Sequence, residues 1–147
     1  MEPTQELDYY KMRLRRYLHS GFPELLGNDV FIQERSDSAA EAYEEAFRAG
    51  NPVEVCNEEA KNVLFEGLHF SRFSTIFEVL ISDFEQDLKD EQFRPVAIQL
   101  LPVCGPVFAK YELDDDFAYS PEYDLLYAEL TGLIANWMGH KEDAGKK

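Results

Sequence analysis

Apolar residues recur at steps of three and four along almost the whole chain, and this period decides most of what the chain can fold into. Leu7, Tyr10, Leu14 and Tyr17, with Leu18 alongside, set the pattern. Thr4 is expected to cap this first helix. Gly21 is expected to terminate it as a left-handed residue, with Pro23 beyond. Asn28 or Asp29 can cap a second helix whose buried face reads Ile32, Ala39, Tyr43, Ala46 and Phe47. Its wet face reads Glu34, Asp37, Glu41, Glu44 and Glu45, and Gly50 followed by Pro52 stops it. A third helix carries Val55, Cys56, Ala60, Val63, Leu64 and Leu68. Ser71 or Ser74 caps a fourth, with Ile76, Phe77, Leu80, Ile81 and Phe84 apolar. Asp90 and Glu91 suit the first turn of a fifth, where negative charge meets the positive end of the helix dipole. Its core face reads Val96, Ile98, Leu100, Leu101, Val103 and Phe108, while Pro102 and Pro106 predict a kink or a break. Ser120, Pro121 and Glu122 open a last helix with the stripe Tyr123, Leu126, Leu130, Leu133, Ile134 and Trp137, closed by Gly139.

No strand alternation, hairpin signal or fixed-period repeat competes with this pattern. The expectation is an all-α protein: one compact domain of about six helices over residues 1–147, with no sheet and with frayed ends at 1–3 and 141–147. A chain of 147 residues with 45% hydrophobic content can bury a core without staples. Its two cysteines, Cys56 and Cys104, form no paired motif with each other or with the three histidines. They read as reduced, buried thiols.

The formal net charge is −15, from 29 acidic and 14 basic residues. The excess is uneven. Residues 1–27 balance four acids with four bases, whereas residues 28–60 carry nine acids against Arg35 and Arg48. Residues 95–127 carry six acids against Lys110 alone. Such a surface repels nucleic-acid backbones and anionic membranes and favours basic partners. The polar start of the chain lacks the apolar core of a signal peptide, and no apolar run is long enough to span a bilayer. A cytoplasmic protein is expected.

Three phrases carry a family likeness: "EGLHFS", "LLPVCGPVFAKYEL" and "DDFAYSPEYDLLYAELTG". Together with "PTQELDYYKMRLRRYL" at the start, they extend it over nearly the whole chain. The sequence resembles a Bacteroides-group family of small helical proteins catalogued as domain of unknown function 1896. The resemblance implies an all-helical single domain, often encoded on or near mobile elements such as conjugative transposons. It supplies no functional residues.

Chemistry must therefore be sought in the residues themselves. Glu66 and His69 form a Glu-x-x-His pair, which on a helix would share one face. A di-iron bundle needs that pair twice, with two further glutamates. The residues three before His19 and His140 are Arg16 and Trp137, so the second half is missing. The pair reads as a helix terminus, with the histidine near the free carbonyls. Asp114, Asp115 and Asp116 lack the alternation and the glycine of a calcium loop and read as a solvated acidic loop. Lys11, Arg13, Arg15 and Arg16 lie within an acidic field and are expected to pair with carboxylates of the second helix or to be solvated. No nucleophile elbow, phosphate loop or dinucleotide fingerprint occurs. No catalytic residue, cofactor or metal is expected.

The leading expectation is a protein-interaction or accessory module. Asp114, Asp115 and Asp116 would supply charge complementarity, and Tyr119 and Tyr123 apolar anchoring. The partner would be another protein, with no direct contact to nucleic acid or membrane, and a homodimer would be compatible with the aromatic content. An acidic mimic of DNA that occupies a nucleic-acid-binding protein is the second reading. An enzyme or metal protein built on Glu66, His69 and a cysteine is the third.

Overall fold

The helix-forming runs become six α-helices, separated by the breaks that proline, glycine and asparagine impose. The computed structural model describes the backbone of residues 3–146 and the side chains of residues 8–139. No strand occurs among the described residues, and the fold is all-α as expected. The chain divides into two compact units, Met1–His69 and Phe70–Lys147. Each has its own buried apolar cluster, where the sequence suggested a single core. The expected frayed ends include residues 1, 2 and 147, which lie outside the described residues. The other positions at those ends have no described side chains.

In the first unit, α1 (Pro3–Gly21) begins on a proline, whose missing N–H costs nothing at a helix start. Thr4 therefore sits inside the helix instead of capping it. Gly21 does not provide the left-handed turn: among the described residues only Gly50 and Gly67 have positive φ. The chain leaves α1 through the buried Phe22 and a short 3-10 turn, Pro23–Leu25. Asn28 caps α2 (Asp29–Arg48), its side chain accepting from the Phe31 N–H at 3.0 Å. Ile32, Ser36, Ala39 and Ala46 are buried on α2, and the small Ser36, Ala39 and Ala46 let α3 (Val53–Leu64) approach closely. Phe47, expected inside, is 60% exposed, because Ala46 takes the seam and its neighbour is turned about 100° around the helix. Gly50 stops α2 as expected, with φ +90. The Asn51 N–H reaches back to the Ala46 carbonyl and the Gly50 N–H to that of Phe47. On α3 the buried stripe is Cys56, Ala60 and Leu64, and Val55 turns outward.

In the second unit, the Ser71 hydroxyl caps α4 (Arg72–Asp83) by accepting from the Ser74 N–H at 2.9 Å. The helix buries Phe73, Ile76, Val79 and Leu80, and Ile81, expected in the core, is exposed. A 3-10 turn over Asp90–Gln92 leads into α5 (Phe93–Phe108), with the Gln92 side chain accepting from the Lys89 N–H at 2.8 Å. The buried positions of α5 are Phe93, Ala97, Leu100, Cys104 and Phe108, a regular helical stripe. Ile98, expected to be buried, is 41% exposed on the opposite side. The helix runs unbroken through Pro102 and Pro106, which both lie on its exposed side. On α6 (Glu122–Lys146) Leu126, Leu130 and Ile134 are buried, flanked by half-buried Tyr123, Leu133 and Trp137. α6 passes through Gly139, which keeps helical backbone and so does not end the helix as expected. No helix among the described residues is long and apolar enough to cross a membrane.

Candidate interaction surface

The "EGLHFS" stretch lies beyond the end of α3, so Glu66 and His69 do not share a helix face. Gly67 turns the chain with φ +75, and both Glu66 and His69 are exposed. The free carbonyls at this helix end are satisfied from α2 and α1. Arg35 Nη1 donates to the Glu66 carbonyl at 2.6 Å and lies within 3.3 and 3.4 Å of those of Leu64 and Val63. Its guanidinium also lies over the Phe31 ring, 4.9 Å from the centroid. The Tyr17 hydroxyl donates to the Leu68 carbonyl. A cation does meet the negative end of α3, as the helix dipole favours, but that cation is Arg35. Sequence reasoning missed it because the partners lie about thirty residues apart.

The thiols are equally remote from chemistry. Cys56 and Cys104 are free and fully buried. Burial pushes the Cys104 thiol up to about 11, which keeps it protonated. Cys56 Sγ lies 3.6 Å from the Asn51 carbonyl oxygen. Among the described residues, no group of three or more histidine, cysteine, aspartate or glutamate side chains could hold a metal ion. In the basic cluster, Arg13 lies over the rings of Tyr9 and Phe65, at 5.9 and 5.6 Å. Its stem and charge are used on aromatic faces.

The segment between α5 and α6 is tied down at both ends. At its start, Lys110 Nζ donates to Glu129 Oε2 at 2.8 Å, and the Tyr111 hydroxyl donates to Glu129 Oε1. Lys110 first, and then Tyr111, hold the Glu129 carboxyl below its usual range. The hydrogen bond to Glu129 and then burial push the Tyr111 phenol up to about 12. In the middle, Asp114 folds the turn on itself. Its Oδ1 accepts from the Asp116 N–H at 3.1 Å, and its carbonyl accepts from the Phe117 N–H at 3.1 Å. Phe117 is buried, edge-on to Phe70 and Tyr111, and opens a 3-10 turn, Phe117–Tyr119. Ser120 then donates its hydroxyl back to the Phe117 carbonyl at 2.7 Å.

This scaffold separates the two tyrosines singled out from the sequence. Tyr119 is 89% exposed, at the end of the turn that Phe117 anchors. Tyr123 is half-buried against Phe117, Phe70 and Tyr127. Burial and then the Glu78 carboxylate push its phenol up. Asp114, Asp115 and Asp116 are exposed beside Tyr119 in the chain. The result is an acidic turn with a fixed backbone that presents one aromatic ring.

The comparisons with known proteins agree on lineage. The family model for a domain of unknown function (DUF1896) matches residues 2–142. The crystal structure of protein PG0816 from Porphyromonas gingivalis is similar, with 42% sequence identity, a TM-score of 0.89 and 94% of each chain covered. The comparison with curated proteins gives no match. With a family model spanning all but a few residues and a solved structure alike over nearly its full length, this chain belongs to the DUF1896 family.

Proposed function

We propose that the protein is an interaction module whose acidic turn docks another protein. The observation that carries this reading is Tyr119, a large aromatic side chain left 89% exposed on a turn held by hydrogen bonds at Asp114, Asp116 and Ser120. Tyrosine is favoured at interface centres because it offers a broad apolar face at low entropic cost, with a polar tip. Asp115 and Asp116 add negative charge around it, which steers a basic partner and sets its orientation. Tyr123 supports the turn from the apolar side. The matching partner surface is an apolar notch rimmed by lysine or arginine.

The test is affinity capture of partners from the host's own lysate, with two variants alongside the wild type. Asp114→Asn/Asp115→Asn/Asp116→Asn removes the charge and retains an acceptor oxygen at position 114 for the turn. Tyr119→Ala removes the anchor. The expected result is a specific protein retained by the wild type, weakened in the asparagine variant by added charge loss and lost in Tyr119→Ala. A partner held equally by all three forms removes this surface from the reading.

A further inference from the structure

Two windows of this acidic chain carry no Asp, Glu, Lys or Arg: residues 95–109 and residues 130–140. The fold brings them together. Val103 from α5 and Leu133, Asn136 and Trp137 from α6 line one cleft of about 250 Å³. Beside it, Pro95, Ile98, Gln99, Pro102 and Pro106 form an exposed stripe along α5. Gln99 stands one turn before Val103, so cleft and stripe adjoin.

The stripe is also supplied with hydrogen-bonding groups. Pro102 and Pro106 lack the N–H groups that would bond the carbonyls of Ile98 and Pro102 in a regular helix. Two acceptors are thereby left on the uncharged side. The exposed amides of Gln99 and Asn136 bring donors to the same region.

We propose that this surface is where two copies of the chain associate. A molecule with net charge −15 repels its own copy, so two copies meet at least electrostatic cost where charge is absent. Across a two-fold axis a face meets itself. It must therefore be free of like charge and must carry both donors and acceptors. The α5 stripe and its cleft meet both conditions. A basic partner gains nothing from an uncharged surface and is drawn to the acidic turn.

Trp137 is the single tryptophan and lines the cleft, so its fluorescence reports on this surface alone. The experiment is sedimentation velocity of the full chain over a range of concentrations at low and moderate salt, with tryptophan emission recorded in parallel. A dimer is expected that strengthens with salt, because salt screens the mutual repulsion. Trp137 emission is expected to shift to the blue as the dimer forms. Ile98→Glu, at an exposed helical position, sets like charges opposite each other and is expected to weaken association about ten-fold or more. Asn136→Asp is expected to act in the same direction, with helicity by circular dichroism unchanged in both. A chain that stays monomeric at every concentration and salt overturns the proposal. So does a dimer that ignores both substitutions and leaves Trp137 emission unmoved. An apolar helical peptide that shifts Trp137 emission while the chain remains monomeric assigns the surface to a different protein and overturns it as well.

Discussion

Arg35 supplies the cation at the C-terminal end of α3. Its guanidinium reaches the carbonyls of Val63, Leu64 and Glu66, at the end of a helix that the sequence closes only with Gly67. A charged donor at such an end is worth more than a neutral one. Arg35→Ala is expected to destabilise the protein by about 2 kcal/mol, read as a lower urea midpoint, because hydrogen bonds to charged groups carry roughly 1.5–3 kcal/mol. Arg35→Lys should recover only part of this, since an ammonium gives up the planar guanidinium's stacking on the Phe31 ring. Tyr111 gives a second test. Its phenol is pushed from the ordinary 10.0 up to about 12, so above pH 10 the unfolded chain loses this proton first. The stabilisation from the Tyr111–Glu129 contact is therefore complete below pH 10 and is lost as pH rises through about 12. Ultraviolet titration should show Tyr111 and Tyr123 ionising late among the eight tyrosines, and Tyr111→Phe should remove the Tyr111 share of that phase. A late phase left undiminished by the substitution would show that Tyr111 takes no part in it.

At the scale of elements, the helices were legible and their faces were less so. Periodicity located all six because each has an apolar stripe, and Asn28, Ser71 and Gly50 act at the boundaries where their chemistry suggests. The errors share one cause. Phe47, Val55, Ile81 and Ile98 are apolar and lie next to buried positions, but each is turned to the outside. A one-residue step rotates a side chain by about 100°, so the choice between neighbouring apolar residues depends on which neighbour helix is present. The prolines of α5 make the same point. They were expected to kink or break the helix; it is not broken, and both lie on the exposed side, where freed carbonyls can meet water. The cost remains: proline in a helix interior is about 3 kcal/mol worse than alanine. Pro102→Ala is thus expected to raise stability by about 2 kcal/mol in chemical denaturation, because no buried contact is given up. A loss of stability there would show that the ring itself contributes packing.

For the whole molecule, two buried clusters replace the single core suggested by the sequence. Each unit spans roughly half the chain, near the size at which one small core supplies only a few kcal/mol. We propose that the chain nevertheless behaves as one domain. Calorimetry should then give a single transition with equal calorimetric and van't Hoff enthalpies, and two resolved transitions would establish independent units. The sequence by itself determined the helical class, the family, the acidic surface and most helix boundaries. These depend on local spacing, turn chemistry and net charge, which are properties of neighbouring residues. Only the tertiary structure decided that Arg35 closes α3, that Tyr111 and Lys110 meet on Glu129, and that Tyr119 is presented while Tyr123 is packed. It also decided that the two uncharged windows share one cleft. Such contacts join residues far apart in the chain, and helical period fixes where a side chain stands on its own helix without fixing what stands opposite it.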